Sequence, residues 1–540
     1  MYRSERFKAD QSKFRKRQLK KLRLSAPIVE QEHKRLENQG HDVRDANLWL
    51  RSFVKNIIRP IIQLPRTRHK GTRINNDANE TEIRLCASAI ALECVAVLQN
   101  SSSPTEEIRA IAKQAGVLKS LDAAINKGQT WRARAVCGIW WRRTLRRELT
   151  RQTDTAFRAG ALVRRGRSAY CGHTSVMHYQ ERQIENAKTL AALVAIPSGT
   201  GAPVSLKELA DSGPSNPLIR RAELMTRISG FEKVAELRGD KGTFLTVTAP
   251  SRFHRFTGAG IENPLWNGET PSDAQAYLCN VWAKTRAKLA RSGLKVYGFR
   301  VAEPHHDGCP HWHLFLFAPP AALDAIEAVY KSYALSDSPG EPGEQKHRFT
   351  AKRCDPTKGT AAGYIAKYIS KNIDGNGITV DAETGQNSSK SALQVRAWAS
   401  TWGVRQFQQI GGPPVIVWRE LRRLSQQEGR KVESKHLEAL VLAAKLGDWQ
   451  LYNQLMGGPV AAKKNRPVAV LKSDFDQETG EIYIGKYGDK ISKIIGLTHK
   501  LGQTITRLIK WVISHAKDFL SKTLCQVLKI APATGPPVLA

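Results

Sequence analysis

The chain has 540 residues, enough for two or three domains, and its 41% hydrophobic content excludes wholesale disorder. Lysine and arginine total 84 against 49 acidic residues, a formal net charge of +35. That excess calls for a polyanionic partner, because neutralised phosphates release condensed counterions, but it does not separate an enzyme from a basic structural protein.

The eight cysteines contain no CxxC pair, which argues against a zinc ribbon or a disulfide framework and fits reduced thiols. The N-terminus is basic but lacks a signal peptide's apolar core, and no run approaches the roughly 18 apolar residues of a membrane span. A cytoplasmic protein is expected.

Residues 1–25 read as a basic arm or helix, and 1–195 as a basic, mainly helical region. Ala87–Leu98 has the character of a buried helix. Trp140, Trp141, Leu145 and Leu149 recur at three- and four-residue spacing, with Arg142, Arg143, Arg146 and Arg147 between them. Core packing accounts for the tryptophans, and the arginine flank offers DNA a surface through Arg142 and Arg143. Residues 196–240 read as a linker rich in proline and glycine up to Pro217, followed by a helix.

From 241 the pattern changes. Thr243–Thr248, Lys295–Ala302, His311–Phe317 and His347–Arg353 read as strands. Ala274–Arg291, Ala321–Ala334 and Ala361–Asn372 read as helices, and Asp337–Glu344 as a turn-rich loop. Interleaved hairpins and helices predict an α+β domain over 241–425, with a central antiparallel sheet and flanking helices. Residues 426–540 form a lysine-rich C-terminal region in which Ser473–Glu481 reads as a hairpin or loop. Apolar residues at 494, 497, 501, 505, 508, 512, 516, 519 and 520 predict an amphipathic basic helix, or helix pair, over Ile491–Ile530.

Glu303–Phe317 reads EPHHDGCPHWHLFLF and holds four of the chain's 14 histidines within nine residues. On a strand, His311 and His313 project from one face and can reach one cation, while Trp312, Leu314 and Leu316 enter a core. Glu303, at the end of the preceding strand, is the expected third ligand, with His305 and His306 as alternatives. Imidazole plus carboxylate suits Mn²⁺ or Zn²⁺, and Mg²⁺ where water and phosphate oxygens complete the shell. The competing reading is a structural zinc assisted by Cys309.

Gly363–Asn372 reads GYIAKYISKN. Tyr364 and Tyr368 share a helix face one turn apart, with Lys367 and Lys371 in a parallel row. A phenol near pKa 10 needs cationic neighbours to ionise, a catalytic role given to Lys367. The phenolate can then attack a phosphodiester and keep the strand as a phosphotyrosine. A second tyrosine one turn away can take the strand over for a further cleavage and joining.

At these residues the sequence resembles the bacteriophage replication gene A protein family, part of the His-hydrophobe-His (HUH) superfamily of rolling-circle initiators. The matching segments are FLTVTAPSRFH at 244–254, RVAEPHHDGCPHWHLFLF at 300–317, GYIAKYISKNIDG at 363–375 and WGVRQFQQIGGPPVIVWRELRRL at 402–424, together with WWRRTLRRE at 140–148. The resemblance implies a nickase that remains on the 5′ phosphate of single-stranded or nicked origin DNA and leaves a 3′ hydroxyl for extension. It implies His311 and His313, with Glu303, as ligands of Mg²⁺ or Mn²⁺, and Tyr364 and Tyr368 as nucleophiles. Ser251, Arg252 and His254 fall in the first motif as candidate DNA contacts, alongside Arg300 and Lys371. The chain has no GxxxxGK[ST] loop, so a host helicase and polymerase are implied partners. An HUH transposase or relaxase would use the same chemistry. A non-enzymatic basic DNA-binding protein would form no covalent adduct.

Overall fold

The computed structural model describes all residues except 1, 40–42, 59–61, 64–72, 127–129, 200, 355–359, 378, 428–433 and 517–540. Its centre is an antiparallel sheet of β1 (Lys241–Thr248), β2 (Tyr297–Pro304), β3 (Pro310–Ala318), β4 (Phe349–Arg353) and β5 (Phe407–Ile410), in the spatial order β4-β1-β3-β2-β5. Among the helices that flank the sheet or pack on those that do are α1 (Gly138–Ala159), α2 (His173–Ala191), α3 (Pro217–Arg238), α4 (Pro271–Arg291), α5 (Leu323–Ala334), α6 (Ala361–Ile373) and α7 (Ser388–Trp402). The fold is therefore α+β with antiparallel pairing, as the alternation of strands and helices predicts.

The period-two pattern of β1, β2 and β3 gives the sheet two unlike faces. On one, Phe244, Phe299, Val301, Phe315 and Phe317 pack against Phe231 and Val234 of α3 and Ile365 and Ile369 of α6. On the other, Leu245, Val247, Trp312, Leu314 and Leu316 meet Leu278 and Trp282 of α4, Tyr330 of α5 and Trp398 of α7. Each buried side chain of this size contributes about 1.5–3 kcal/mol, so both faces lock the register.

β2 and β3 form a hairpin through residues 305–309. His305 N–H donates to the Cys309 carbonyl at 2.8 Å, and Cys309 N–H to Asp307 Oδ1 at 3.0 Å. Gly308 takes a φ of +83°, and a Cβ there would lie 2.7 Å from the Tyr170 carbonyl oxygen, so this turn requires glycine. The resulting register sets Glu303 opposite His311 and Val301 opposite His313.

Two expectations need correction. The linker of 196–217 is partly sheet: Leu193–Pro197 pairs with Val204–Ser205 and with Trp511–His515. The amphipathic helix placed over Ile491–Ile530 is not formed in its described part. Lys493–His499 and Gly502–Ile505 are strands paired with each other, and Trp511–His515 is a third strand. Ile494, Ile495, Thr498, Thr504, Val512 and Ile513 are β-branched and favour extended backbone, while turns between short strands reproduce helix-like spacing. The rest of that prediction lies outside the described residues. Packing also crosses the 425 boundary, since Leu437, Leu440, Trp449 and Tyr452 join the core of the histidine-bearing face.

Candidate metal and nucleophile site

β2 and β3 bring three predicted ligands together. His311 Nε2 and His313 Nε2 lie 3.0 Å apart, and Glu303 Oε2 is 4.0 Å from the first and 3.8 Å from the second. Among the described residues these three form the one group of His, Cys, Asp or Glu with ligand atoms close enough to hold a metal ion. Cys309 is outside it, so the zinc alternative loses its fourth donor. His305 is outside it too, its ring lying against His311 with centroids 4.0 Å apart. The His306 backbone N–H donates to Glu383 Oε1 at 2.8 Å.

The donor set fits a divalent cation. Burial drives the His313 pKa down to about 3 and holds His311 well below the ordinary imidazole value, so both rings are neutral. His313 Nδ1 pairs with the Thr246 hydroxyl at 3.1 Å, which directs the Nε2 lone pair toward the triad. Burial pushes Glu303 up to about 7, against the pull of Lys371 and of a hydrogen bond from Asn372. Asn372 also donates to the Tyr368 carbonyl at 2.6 Å and accepts from Gln406 at 3.0 Å, tying α6 to the carboxylate.

The expectation that Lys371 faces DNA is corrected. Its ammonium lies 3.6 Å from Glu303, 3.7 Å from Asp381 and 3.1 Å from Glu383. Burial opposes its charge, but these carboxylates raise its pKa above the usual lysine value. Once all three carboxylates are ionised, one ammonium leaves two negative charges, the amount a divalent cation balances. Glu383, half-buried, is held down to about 2 by His305 and Lys371.

α6 starts where the Thr360 hydroxyl accepts the Gly363 N–H at 3.0 Å. Ile365, Ile369 and Ile373 anchor its buried face. Tyr368 lies half-buried over the triad, its ring centroid 4.2 Å from that of His313 and 5.5 Å from that of Phe244. Tyr364, one turn earlier, is 43% exposed. Tyr368, Lys367 and the triad line a cavity of about 320 Å³ open to solvent. Burial, with Glu303 adding to it, raises the Tyr368 phenol to about 12, while Lys371 pulls the other way.

Residues 78–376, more than half of the chain, match the family described as bacteriophage replication gene A protein (GPA). The chain belongs to that family. It is 39% identical over 387 residues to the replication gene A protein of Escherichia phage 186, an alignment covering 69% of this chain and 54% of the relative. It is 37% identical over 412 residues to the replication protein of Haemophilus phage HP1, covering 74% and 51%. A protein of Shigella boydii serotype 4 named probable replication endonuclease from prophage-like region is 33% identical over 394 residues, covering 70% and 48%. The chain thus spans about half the length of the curated relatives it matches. No solved structure matches it.

The remaining site predictions for this gene A family chain divide. Arg300 is corrected: it lies on the opposite sheet face, 3% exposed, with its guanidinium 4.1 Å from the Trp312 ring centroid and donating to the Arg405 carbonyl at 2.5 Å. Arg252 is held by Glu269 at 2.5 Å and Asp337 at 3.0 Å, and the Ser251 N–H donates to Glu341 at 2.8 Å. His254 sits 3.3 Å from Asp307 with its ring 5.1 Å from that of His305, which makes it a support for the hairpin loop. Arg142 is 3.4 Å from Glu80, and Arg143 lines a separate cleft.

Sequence reasoning missed Asp381, Glu383 and Asn372. Asn372 carried a signal, being one turn beyond Tyr368. It also missed Arg158, a buried cation near the end of α1. Arg158 donates to the carbonyls of Asp307 at 3.2 Å, Glu269 at 2.9 Å and Phe253 at 3.3 Å, while Trp398 Nε1–H donates to the Gly308 carbonyl at 2.9 Å. The loop that aims both imidazoles is therefore clamped from α1 and α7.

Proposed function

We propose that this chain is a site-specific single-strand DNA nickase and strand-joining enzyme, built on an HUH-type core, that initiates rolling-circle replication of a phage or prophage genome. The observation that carries this reading is the cavity shared by the Glu303–His311–His313 triad and Tyr368. The relatives' names favour replication over transposition or mobilisation.

Tyr368 is the first nucleophile in this reading, because it lines the cavity whereas Tyr364 stands outside it. Its phenol oxygen forms a bond to phosphorus as the bond from phosphorus to the 3′ oxygen breaks. The phenol proton is lost and the departing oxygen gains one, leaving a 5′ phosphotyrosine and a 3′ hydroxyl. A Mg²⁺ or Mn²⁺ ion held by Glu303, His311 and His313 would supply positive charge to the non-bridging phosphate oxygens. Lys371 favours the phenolate electrostatically, and exposed Lys367 approaches the phosphate from the same helix. Tyr364, one turn away, takes a second 5′ end when the circle closes. Origin DNA is the substrate, and a host helicase and polymerase extend the 3′ end.

The test uses single-stranded oligonucleotides tiling the DNA around the coding gene, incubated with protein and Mn²⁺ or Mg²⁺. A protein–DNA adduct resistant to denaturation is expected, absent in Y364F/Y368F and with Y368F the more impaired single variant. Cleavage without any adduct, or an adduct that persists in Y364F/Y368F, would sink the tyrosine mechanism.

A further inference from the structure

A second cleft, of about 230 Å³, opens between α1, α2 and the C-terminal end of α7. Arg143, Arg146 and Arg147 enter it from α1 and Arg182 from α2, with the hydroxyls of Thr150 and Ser400 beside them. Like charges three and four residues apart repel, and few carboxylates offset them here. Glu80 is 3.4 Å from Arg146, and Glu148 is 3.3 Å from Arg147. Arg143 has neither a hydrogen bond nor an ion pair with any described residue. Arg182 donates to Ser400 Oγ at 2.9 Å, but its Nε is buried without a partner among the described residues. Burial, with neighbouring arginines adding to it, lowers the pKa of Arg146, and burial lowers that of Arg182. A fold that converges guanidinium groups at this cost is built for an anion, and planar forks suit phosphate.

α7 sets the distance to the nicking site. Ser388 and Ser391 line the triad cavity, and Ser400 lines the arginine cleft. The offsets of nine and twelve positions along the helix rise about 14–18 Å at 1.5 Å each.

We propose that this cleft binds a backbone phosphate of the DNA flanking the nick, so that α7 measures from the reacting phosphate to a second one held by Arg143 and Arg147. The inference rests on DNA being the substrate, but on neither the metal nor the tyrosines. The experiment is fluorescence anisotropy with a long, mixed-sequence single-stranded oligonucleotide in EDTA, across a salt series. R143Q/R147Q should bind about tenfold more weakly at low salt, with a log K against log salt slope smaller by about 0.7 for each phosphate no longer neutralised. R143K/R147K should recover most of the slope, and thermal melting should match the wild type, since both side chains are exposed.

An unchanged slope in R143Q/R147Q overturns the proposal. If inorganic pyrophosphate then binds the wild type but not R143Q/R147Q, the cleft belongs to a free anion instead. A wild type that binds no DNA at all sinks the DNA reading itself.

Discussion

Two charged cavities of this molecule are opposites. In the triad cavity the Lys371 ammonium lies within 3.7 Å of Glu303, Asp381 and Glu383, while Lys367, which also lines it, is exposed, so the buried charge is net acidic. In the arginine cleft four guanidinium groups converge, and of the nearby carboxylates Glu80 and Glu148 reach them at 3.4 and 3.3 Å. Removing charge from water is costly in either sign, so each imbalance identifies the missing partner: a cation in the first, an anion in the second.

Substitutions that neutralise one charge should therefore act differently in the two places. The largest effect is expected for His313→Ala, where adduct formation in Mn²⁺ should fall about 10²–10³-fold with unchanged circular dichroism, as for loss of one electrostatic element of a site. Full activity in that variant would remove the triad from the chemistry. Lys371→Met should cost about 3 kcal/mol in urea unfolding, because three carboxylates lose their shared counterion.

The next effect is read in pH. Below about 7 the free protein holds a proton on Glu303 that a cation must displace, whereas His313, at about 3, is already neutral. Mn²⁺ affinity measured by calorimetry should rise about tenfold per pH unit up to about 7 and then level off. Glu303→Gln should bind more weakly and flatten that slope. The same shift has a stability counterpart without metal: with Glu303 raised above its unfolded pKa, its contribution favours folding at low pH and is lost as pH rises from about 4.5 to 7. The smallest effect belongs to Arg143→Gln, which should alter unfolding free energy by no more than about 0.5 kcal/mol while weakening DNA binding. Strong destabilisation there would make the cleft a structural cluster.

The hairpin and the tyrosine helix are legible in the sequence because local signals agree with the fold. His311 and His313 interrupt an alternating apolar strand, and Tyr364 and Tyr368 keep helical spacing over buried Ile365 and Ile369. Glu303 can be found because hairpin pairing returns it to the histidines. Arg300 misleads because basic charge alone does not say which sheet face a side chain takes. Lys371 misleads because its partners Asp381 and Glu383 arrive from a loop whose path no periodicity encodes. Ile491–His515 fails for a related reason: short strands broken by a turn at Lys500 and Leu501 and by an irregular stretch over 506–510 imitate a stripe that a helix would also give.

The clamp formed by Arg158 bears on how far this protein can be dissected. Its side chain crosses 149 residues of sequence to reach the Asp307 carbonyl. A fragment starting near residue 196 would contain every triad member and both tyrosines, yet would leave the histidine hairpin without the side chain that braces its turn. The sheet that carries the triad is thus not a cassette that can be lifted out or exchanged between relatives without the helix that precedes it.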